Sequence, residues 1–332
     1  MATPQDVSLG FGTESTYKTG VTPTRWPEFT EESLNWDKSI KQGVGLRVGA
    51  RVARSGRRVV TSAQGSGDFT MEATSKGMGL LWSYALGSGT STLVSGTTYQ
   101  QVFTLGDAPS SFTLQKGQVR ADGTVDPYTF LGSMVSQWQF NFPNDDIASL
   151  TMSIDAGDLT TATAYAAPSY AASPTLFHFA GGSISTGTLT APTSTALASA
   201  ATPLAYVRGG SVSCNHNLSS RFSFGGAGRK DKPTVGLREI SGSMDVEYNS
   251  TTFRDAVINE TPMCLVLTFT GAALSTGTET LQVVLPEVKF DNQLPQTNGT
   301  DLVVQSMNFA VLDNLTAAQP IWVVTRTSDN AL

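Results

Sequence analysis

Cysteine is all but missing from this chain. Its 332 residues hold two, Cys214 and Cys264, too few for a disulfide framework. Each sits in a strand-like run, Cys214 close to Val212 and Cys264 between Met263 and Leu265, and reads as a structural thiol. Histidine is as scarce. His178 and His216 stand at no metal-ligand spacing with the cysteines, and a zinc site built from them would be short of ligands. Charged residues make up 14%, with a net charge of −6 and a pI near 5.0. That balance excludes general affinity for nucleic acid, although an acidic protein can be built to repel a polyanion. No run is apolar enough to span a membrane. The opening MATPQDVSLG has neither the charged start nor the apolar core of a signal peptide, so folding in a cytoplasm is expected. Long helical patterns are missing too. What remains is a chain rich in Ser, Thr and glycine, with 32 glycines, the composition of an all-β protein with many turns.

The informative stretch is 67–84, GDFTMEATSKGMGLLWSY. Phe69, Met71 and Ala73 alternate with Asp68, Thr70 and Glu72, the period of a half-buried strand. Leu80, Leu81, Tyr84 and Ala85 then recur at helical spacing. The same design returns at 242–257, GSMDVEYNSTTFRDAV. Met244, Val246 and Tyr248 take one strand face, and Ser243, Asp245 and Glu247 the other. Phe253, Ala256 and Val257 mark a helix face. The leading glycines, Gly67 and Gly242, are offset by 175 residues. We read this as a tandem duplication of one module.

The rest of the chain arranges itself around those two anchors. Residues 1–30 form an arm, extended where Pro23 and Pro27 disfavour helix; Trp26 and Phe29 suggest that it docks, with another subunit as the candidate partner. Module 1 covers 31–160. It begins with a strand at 33–42 and a glycine-rich loop carrying Arg47, Arg51, Arg54, Arg57 and Arg58. After the anchor come paired strands at 97–105 and 111–119, a turn at 122–127, and a long strand at 131–142. In that strand Gln137, Gln139 and Asn141 lie opposite Trp138, Phe140 and Phe142. A hairpin partner follows at 150–154. Residues 161–202 form a linker and an exposed Thr/Ala/Ser/Pro insertion at 186–202, with 174–185 opening the second module. Module 2 covers 203–332. It has a strand region at 210–224, a second basic loop at 224–238 with Arg229, Lys230 and Lys232, and the anchor strand and helix. Strands at 264–270, 281–290 and 302–311 follow, with a turn at 294–300. A last strand or arm, 320–327, holds Trp322.

No pattern for chemistry competes with this structural reading. There is no G-x-S-x-G, Walker loop or H-E-x-x-H. Residues 225–230, GGAGRK, lack the Ser or Thr and the helix that a phosphate loop needs. Asp145 and Asp146 sit in a turn, where Asp serves local hydrogen bonds. Asp68/Glu72 and Asp245/Glu247 could form a glycosidase pair only beside a sugar cleft that nothing else suggests. The sequons at Asn217, Asn249, Asn259, Asn298 and Asn314 read as chance. Neither an enzyme nor a cofactor is expected.

Four strings carry a family likeness: LGFGTESTYKTGVTP (9–23), the arginine-rich GARVARSGRR, the strand–helix GDFTMEATSKGMGLLWSYALG, and DGTVDPYTFLGS (122–133). With the order of elements, they make the chain resemble the tail tube proteins of long-tailed, non-contractile bacteriophages. The insertion at 186–202 and the tail after Asn314 depart from that pattern. The resemblance implies a mainly β fold, with a duplicated sandwich or barrel module bearing one short helix each. Such modules oligomerise into a ring around a shared β-barrel lumen. It further implies stacked rings in the virion tail, assembled in the host cytoplasm, through which DNA and the tape measure protein pass without specific binding. With two modules per chain, a trimer of pseudo-sixfold symmetry is favoured over a hexamer. Asp68, Thr70, Glu72, Gln137, Gln139, Asn141, Ser243, Asp245 and Glu247 become candidates for the lumen wall, against an ordinary solvent-facing side. The arginines of the first loop, with Arg229, Lys230 and Lys232, become candidates for inter-ring contacts, against a plain solvated loop. Trp26, Phe29 and Trp322 become arm anchors. Rival readings are a tail terminator or decoration protein and a carbohydrate-binding β-sandwich of a tail tip.

Overall fold

The computed structural model describes residues 6–291 and 303–332. The chain forms β1 (Ser8–Thr13), β2 (Glu31–Glu32), β3 (Asn35–Gln42), β4 (Arg58–Glu72), α1 (Gly79–Leu86), β5 (Gly87–Ser95), β6 (Thr98–Leu105), β7 (Phe112–Val119), β8 (Val125–Phe142), β9 (Ser149–Ala156) and β10 (Asp158–Thr160). It continues with β11 (Gly182–Thr190), β12 (Ser199–Leu204), β13 (Val207–Asn215), β14 (Glu239–Glu247), α2 (Thr252–Ile258), β15 (Met263–Ala273), β16 (Thr278–Asp291), β17 (Val304–Val311) and β18 (Trp322–Thr327). The turn expected at 294–300 lies outside the described residues.

Antiparallel pairing runs without a break along β3, β4, β9, β8, β13, β14, β17 and β16. The order within the first four, β3–β4–β9–β8, repeats in the last four, β13–β14–β17–β16. The two quartets meet where β8 pairs with β13, with Phe140 opposite Val212 and Trp138 opposite Cys214. Period-two alternation decides which face is buried. Phe69, Met71, Leu150, Met152, Trp138, Phe140, Val212, Met244 and Phe309 all point inward and are under a tenth exposed. Their rings interlock: Trp82 of α1 meets Trp138 edge-on at 5.7 Å, and Phe140 meets Phe269 at 5.6 Å, offset geometries favoured by aromatic quadrupoles.

A second layer covers this face. It consists of β5–β6–β18 joined to β16, and of β15–β11–β12 on the other edge of β16. The first half of β8 leaves the main sheet and pairs with β7 and β10, while β7 also pairs with β1. Gly67 sits under the Ser33–Leu34 link. Its φ is +147°, and a Cβ there would lie 2.6 Å from the Ser33 carbonyl oxygen, so the anchor strand needs glycine at that point.

Four expectations need correction. The segment 1–30 is no free arm among its described residues. Ser8–Thr13 is a strand with Leu9 and Phe11 fully buried, and residues 24–25 fold back on it through the Thr24 amide and the Phe11 carbonyl, 2.8 Å. Glycines between its apolar residues hide the strand from a hydropathy reading. Gly10 is there because Trp26 and Pro23 lie against it; a Cβ would come within 2.6 Å of Trp26 Nε1. The segments 97–105 and 111–119 are strands but do not pair with each other: β6 lies between β5 and β18, and β7 between β1 and β8. The turn expected at 122–127 closes early, at the Gly123 amide and the Arg120 carbonyl, leaving Asp126 and Pro127 in β8. Residues 186–202 form no loose excursion. They make the β11–β12 hairpin, and Ala198 is buried against Val266, Val284, Trp322 and Val324.

Candidate functional site

The outer face of the long sheet is built from the polar half of each alternating strand. Strand register aligns it into rows across β4, β9, β8, β13 and β14. One row runs Asp68, Ser153, Gln137, Asn215, Glu239; the next Thr70, Thr151, Gln139, Ser213, Ser241; the third Glu72, Ser149, Asn141, Ser211, Ser243. Across these five strands the rows hold no lysine or arginine; two strands further, the second row continues through Ala310 of β17 to Lys289 of β16. Hydroxyls link neighbours sideways: Thr70 to Thr151 at 3.0 Å, Ser211 to Ser243 at 3.1 Å, Ser213 to Ser241 at 3.3 Å. The Gln139 amide donates to Asn141 Oδ1 at 2.8 Å. Cross-strand Ser/Thr pairs of this kind stiffen a sheet by a few tenths of a kcal/mol to ~1 kcal/mol each. Thus the structure brings seven of the candidate wall residues, from Asp68 to Ser243, onto one continuous neutral-to-acidic surface. Asp245 extends it and binds the Ser306 hydroxyl. Glu247 lies at its rim, and its charge is offset by Arg208, whose Nε donates to Oε1 at 2.8 Å.

The two basic loops have different surroundings. The first, 43–57, projects as a hairpin lobe from β3 and β4. It is held by the Gly43 amide on the Arg57 carbonyl (2.9 Å) and the Ala50 amide on the Arg47 carbonyl (3.1 Å). Arg47, Arg51, Arg54, Arg57 and Arg58 form no ion pair among the described residues. The second loop folds down onto the first half of the chain. Lys230, almost fully buried, pairs with Asp155, which also accepts from the Ser220 hydroxyl at 3.0 Å. Arg229 reaches Asp158 at 3.2 Å and covers the Trp36 ring at 4.9 Å. The Ala63 amide donates to the Gly228 carbonyl, 2.9 Å. Lys230 is therefore enclosed within the chain, whereas Arg229 keeps 40% of its side chain exposed and Lys232 stays exposed. The partners lie some 70 residues away in sequence, beyond the reach of any local pattern.

The arm anchors also turn inward. Trp322 is 5% exposed within β18 between β6 and β16. Trp26 is half-buried on β1, and Phe29 packs against the main core. Among the titratable groups, His216 is wholly enclosed; its Nε2–H donates to the Ala85 carbonyl at 2.7 Å, and desolvation lowers its pKa to about 4. Burial pushes the Cys214 thiol up to about 12 and that of Cys264 to about 11, leaving both as inert packing groups at neutral pH. No three metal-ligating side chains come together among the described residues.

A surface made of aligned neutral and acidic rows, with a basic lobe that forms no ion pair among the described residues, offers area for contact with other chains. Comparison with known proteins agrees with that reading. Residues 4–311 match the family model described as phage tail tube protein. No curated protein matches the chain. The chain belongs to the phage tail tube proteins, structural components of the virion tail that assemble with their own kind into a tube.

Proposed function

We propose that three copies of this chain close into a ring of pseudo-sixfold symmetry. Stacked rings then form the conduit through which DNA and the tape measure protein pass without specific binding. The role is mechanical, with no catalytic step. The observation that carries this reading is the repeated pairing order β3–β4–β9–β8 and β13–β14–β17–β16, with β8 and β13 already joined. It supports a duplication of one module, split near residue 160 and resuming before 203.

The outer edge of β3 has no strand partner among the described residues. An unpaired edge of eight residues invites pairing with another chain. By analogy with β8 and β13, that edge joins the far end of β16 in the next copy. Three chains then supply 24 strands, and a spacing of about 4.8 Å gives a backbone diameter of about 37 Å for upright strands, more when tilted. The polar rows face inward, and carboxylates repel phosphates over roughly 8 Å in physiological salt. Lys232 and the arginines of the 43–57 lobe are available for contacts between subunits or rings.

Cryo-electron microscopy of the purified, polymerised protein tests the proposal. Rods with a central channel, three chains of 35.0 kDa per ring and the rows Asp68–Glu239 on the channel wall are the expected result. Six chains per ring, or a channel lined by Lys and Arg, overturns it.

A further inference from the structure

Among the described residues, no ion pair or burial explains the composition of the 43–57 lobe. Leu46 and Val48 are fully exposed, and Val44 and Val52 are 89% and 83% exposed. Four arginines, Arg47, Arg51, Arg54 and Arg57, accompany them, and Arg58 follows at the start of β4. Apolar side chains clustered on an exposed projection mark an interaction site. The second loop, at the matching point between β13 and β14, shows what such a lobe does when its neighbour is present. It crosses the β8–β13 joint and grips the preceding quartet through Arg229–Asp158 and Lys230–Asp155.

The registers convert this cis contact into a trans one. Gly67 stands opposite Ile154, and Gly242 opposite Phe309. Asp158 lies four residues beyond Ile154; Asp313 lies four beyond Phe309. At the 175-residue offset of the anchors, Arg229 corresponds to Arg54. The counterpart of Arg229–Asp158 is therefore Arg54–Asp313, whereas that of Lys230–Asp155 is the uncharged pair Ser55 and Ala310, so the clasp rests on one ion pair. Five strand steps separate β4 from β17 in one chain, about 24 Å along the sheet. Asp313 is exposed and makes no ion pair among the described residues; its Oδ1 caps the Leu315 amide at 2.9 Å. Leu312 and Leu315 beside it are 41% and 90% exposed, an apolar match for the lobe.

We infer that the 43–57 lobe is a lateral clasp: Arg54 of one copy pairs with Asp313 of the adjacent copy in the same ring, and the lobe's apolar residues cover Leu312 and Leu315. The contact is heterologous, one end of the chain meeting the other, which is the geometry that closes rings. It rests on the ring reading above, but assigns the lobe to contacts within a ring, whereas the family resemblance suggested contacts between rings.

Cysteines at the two positions test it. The double variant R54C/D313C, assembled and oxidised with diamide, is expected to give a covalent ladder on non-reducing gels that ends at three chains. Either single variant is expected to give none, since Cys214 and Cys264 are buried. Charge exchange adds a second readout: R54D lowers ring yield at least tenfold while circular dichroism stays native, and R54D/D313R restores it. Normal tubes without a cross-link, a ladder running past any closed ring, or R54D rings that form but fail to stack each overturn the clasp. A ladder that closes at six chains keeps the clasp and overturns the trimer, so the two readings fail separately.

Discussion

At the residue scale, two buried polar sites make the stability of this chain sensitive to pH and to substitution. His216 is enclosed with Nε2–H on the Ala85 carbonyl and Nδ1 without a partner, so its neutral form is required. Its folded pKa, about 4, lies below the unfolded value of about 6.5. The unfolded state therefore binds more protons between those values, and stability falls as pH drops through that window. From pH 6.5 to 5 the loss is about 1.5 kcal/mol. Thermal melts across that range are expected to show a declining midpoint, and H216N to flatten the decline above pH 5, where most carboxylates stay ionised. The second group is the Lys230–Asp155 pair. Removing one partner leaves a buried charge, a loss of about 3–5 kcal/mol, whereas replacing both by apolar residues of similar volume is far milder. Denaturant unfolding is thus expected to rank D155A well below D155L/K230M. An equal loss in both variants sinks the argument.

At the element scale, legibility followed the size of the alternating side chains. Phe69, Met71 and Ala73 against Asp68, Thr70 and Glu72 made β4 readable, and the change of period after Glu72 announced α1. The same contrast revealed β8, β9, β14 and α2. It failed for β1, where Gly10 and Gly12 replace the polar partners, and for β11–β12, where small residues suffice because Ala198 covers a shallow second core. Partner choice was not legible at all. β6 looks across to β18, more than 200 residues later, and no local feature of 98–105 announces that. That the polar candidates share one sheet face was legible because period two alone fixes a face; the ion pairs of Arg229 and Lys230 were not, because they depend on which strands become neighbours.

That distant pairing has an energetic consequence. β18 lies beyond the matched family region, yet Ile321, Val323 and Val324 are wholly buried, and the strand ties the β5–β6 hairpin to β16. Burying one such side chain contributes ~1.5–3 kcal/mol. Deleting residues 316–332 removes several of them and uncovers two strand edges. Truncation is expected to abolish cooperative unfolding and to drive the protein into aggregates. A soluble truncated chain with a single sharp melt argues that the hairpin stands without β18.

At the scale of the whole molecule, charge placement matters more than net charge. A chain at −6 would repel DNA weakly from every side. Here the acidic groups Asp68, Glu72, Glu239 and Asp245 stand in rows that reach a single lysine, Lys289 of β16, among the described residues, while four arginines gather on the 43–57 lobe. If that face lines the channel, reversing it should leave assembly intact and change only what the channel does with a polyanion. D68K and E72K alter side chains that point out of the sheet, away from the core, so each is expected to change stability by under about 0.5 kcal/mol. Three chains carrying both changes would place six lysines around one channel. Each phosphate neutralised by a lysine releases counterions, so binding should be steep in salt. Variant tubes are expected to retain linear duplex DNA on sedimentation at 50 mM salt and release it at 200 mM, whereas wild-type tubes retain none at either. Variant tubes that assemble and still leave DNA in the supernatant at low salt place these residues on the outer surface.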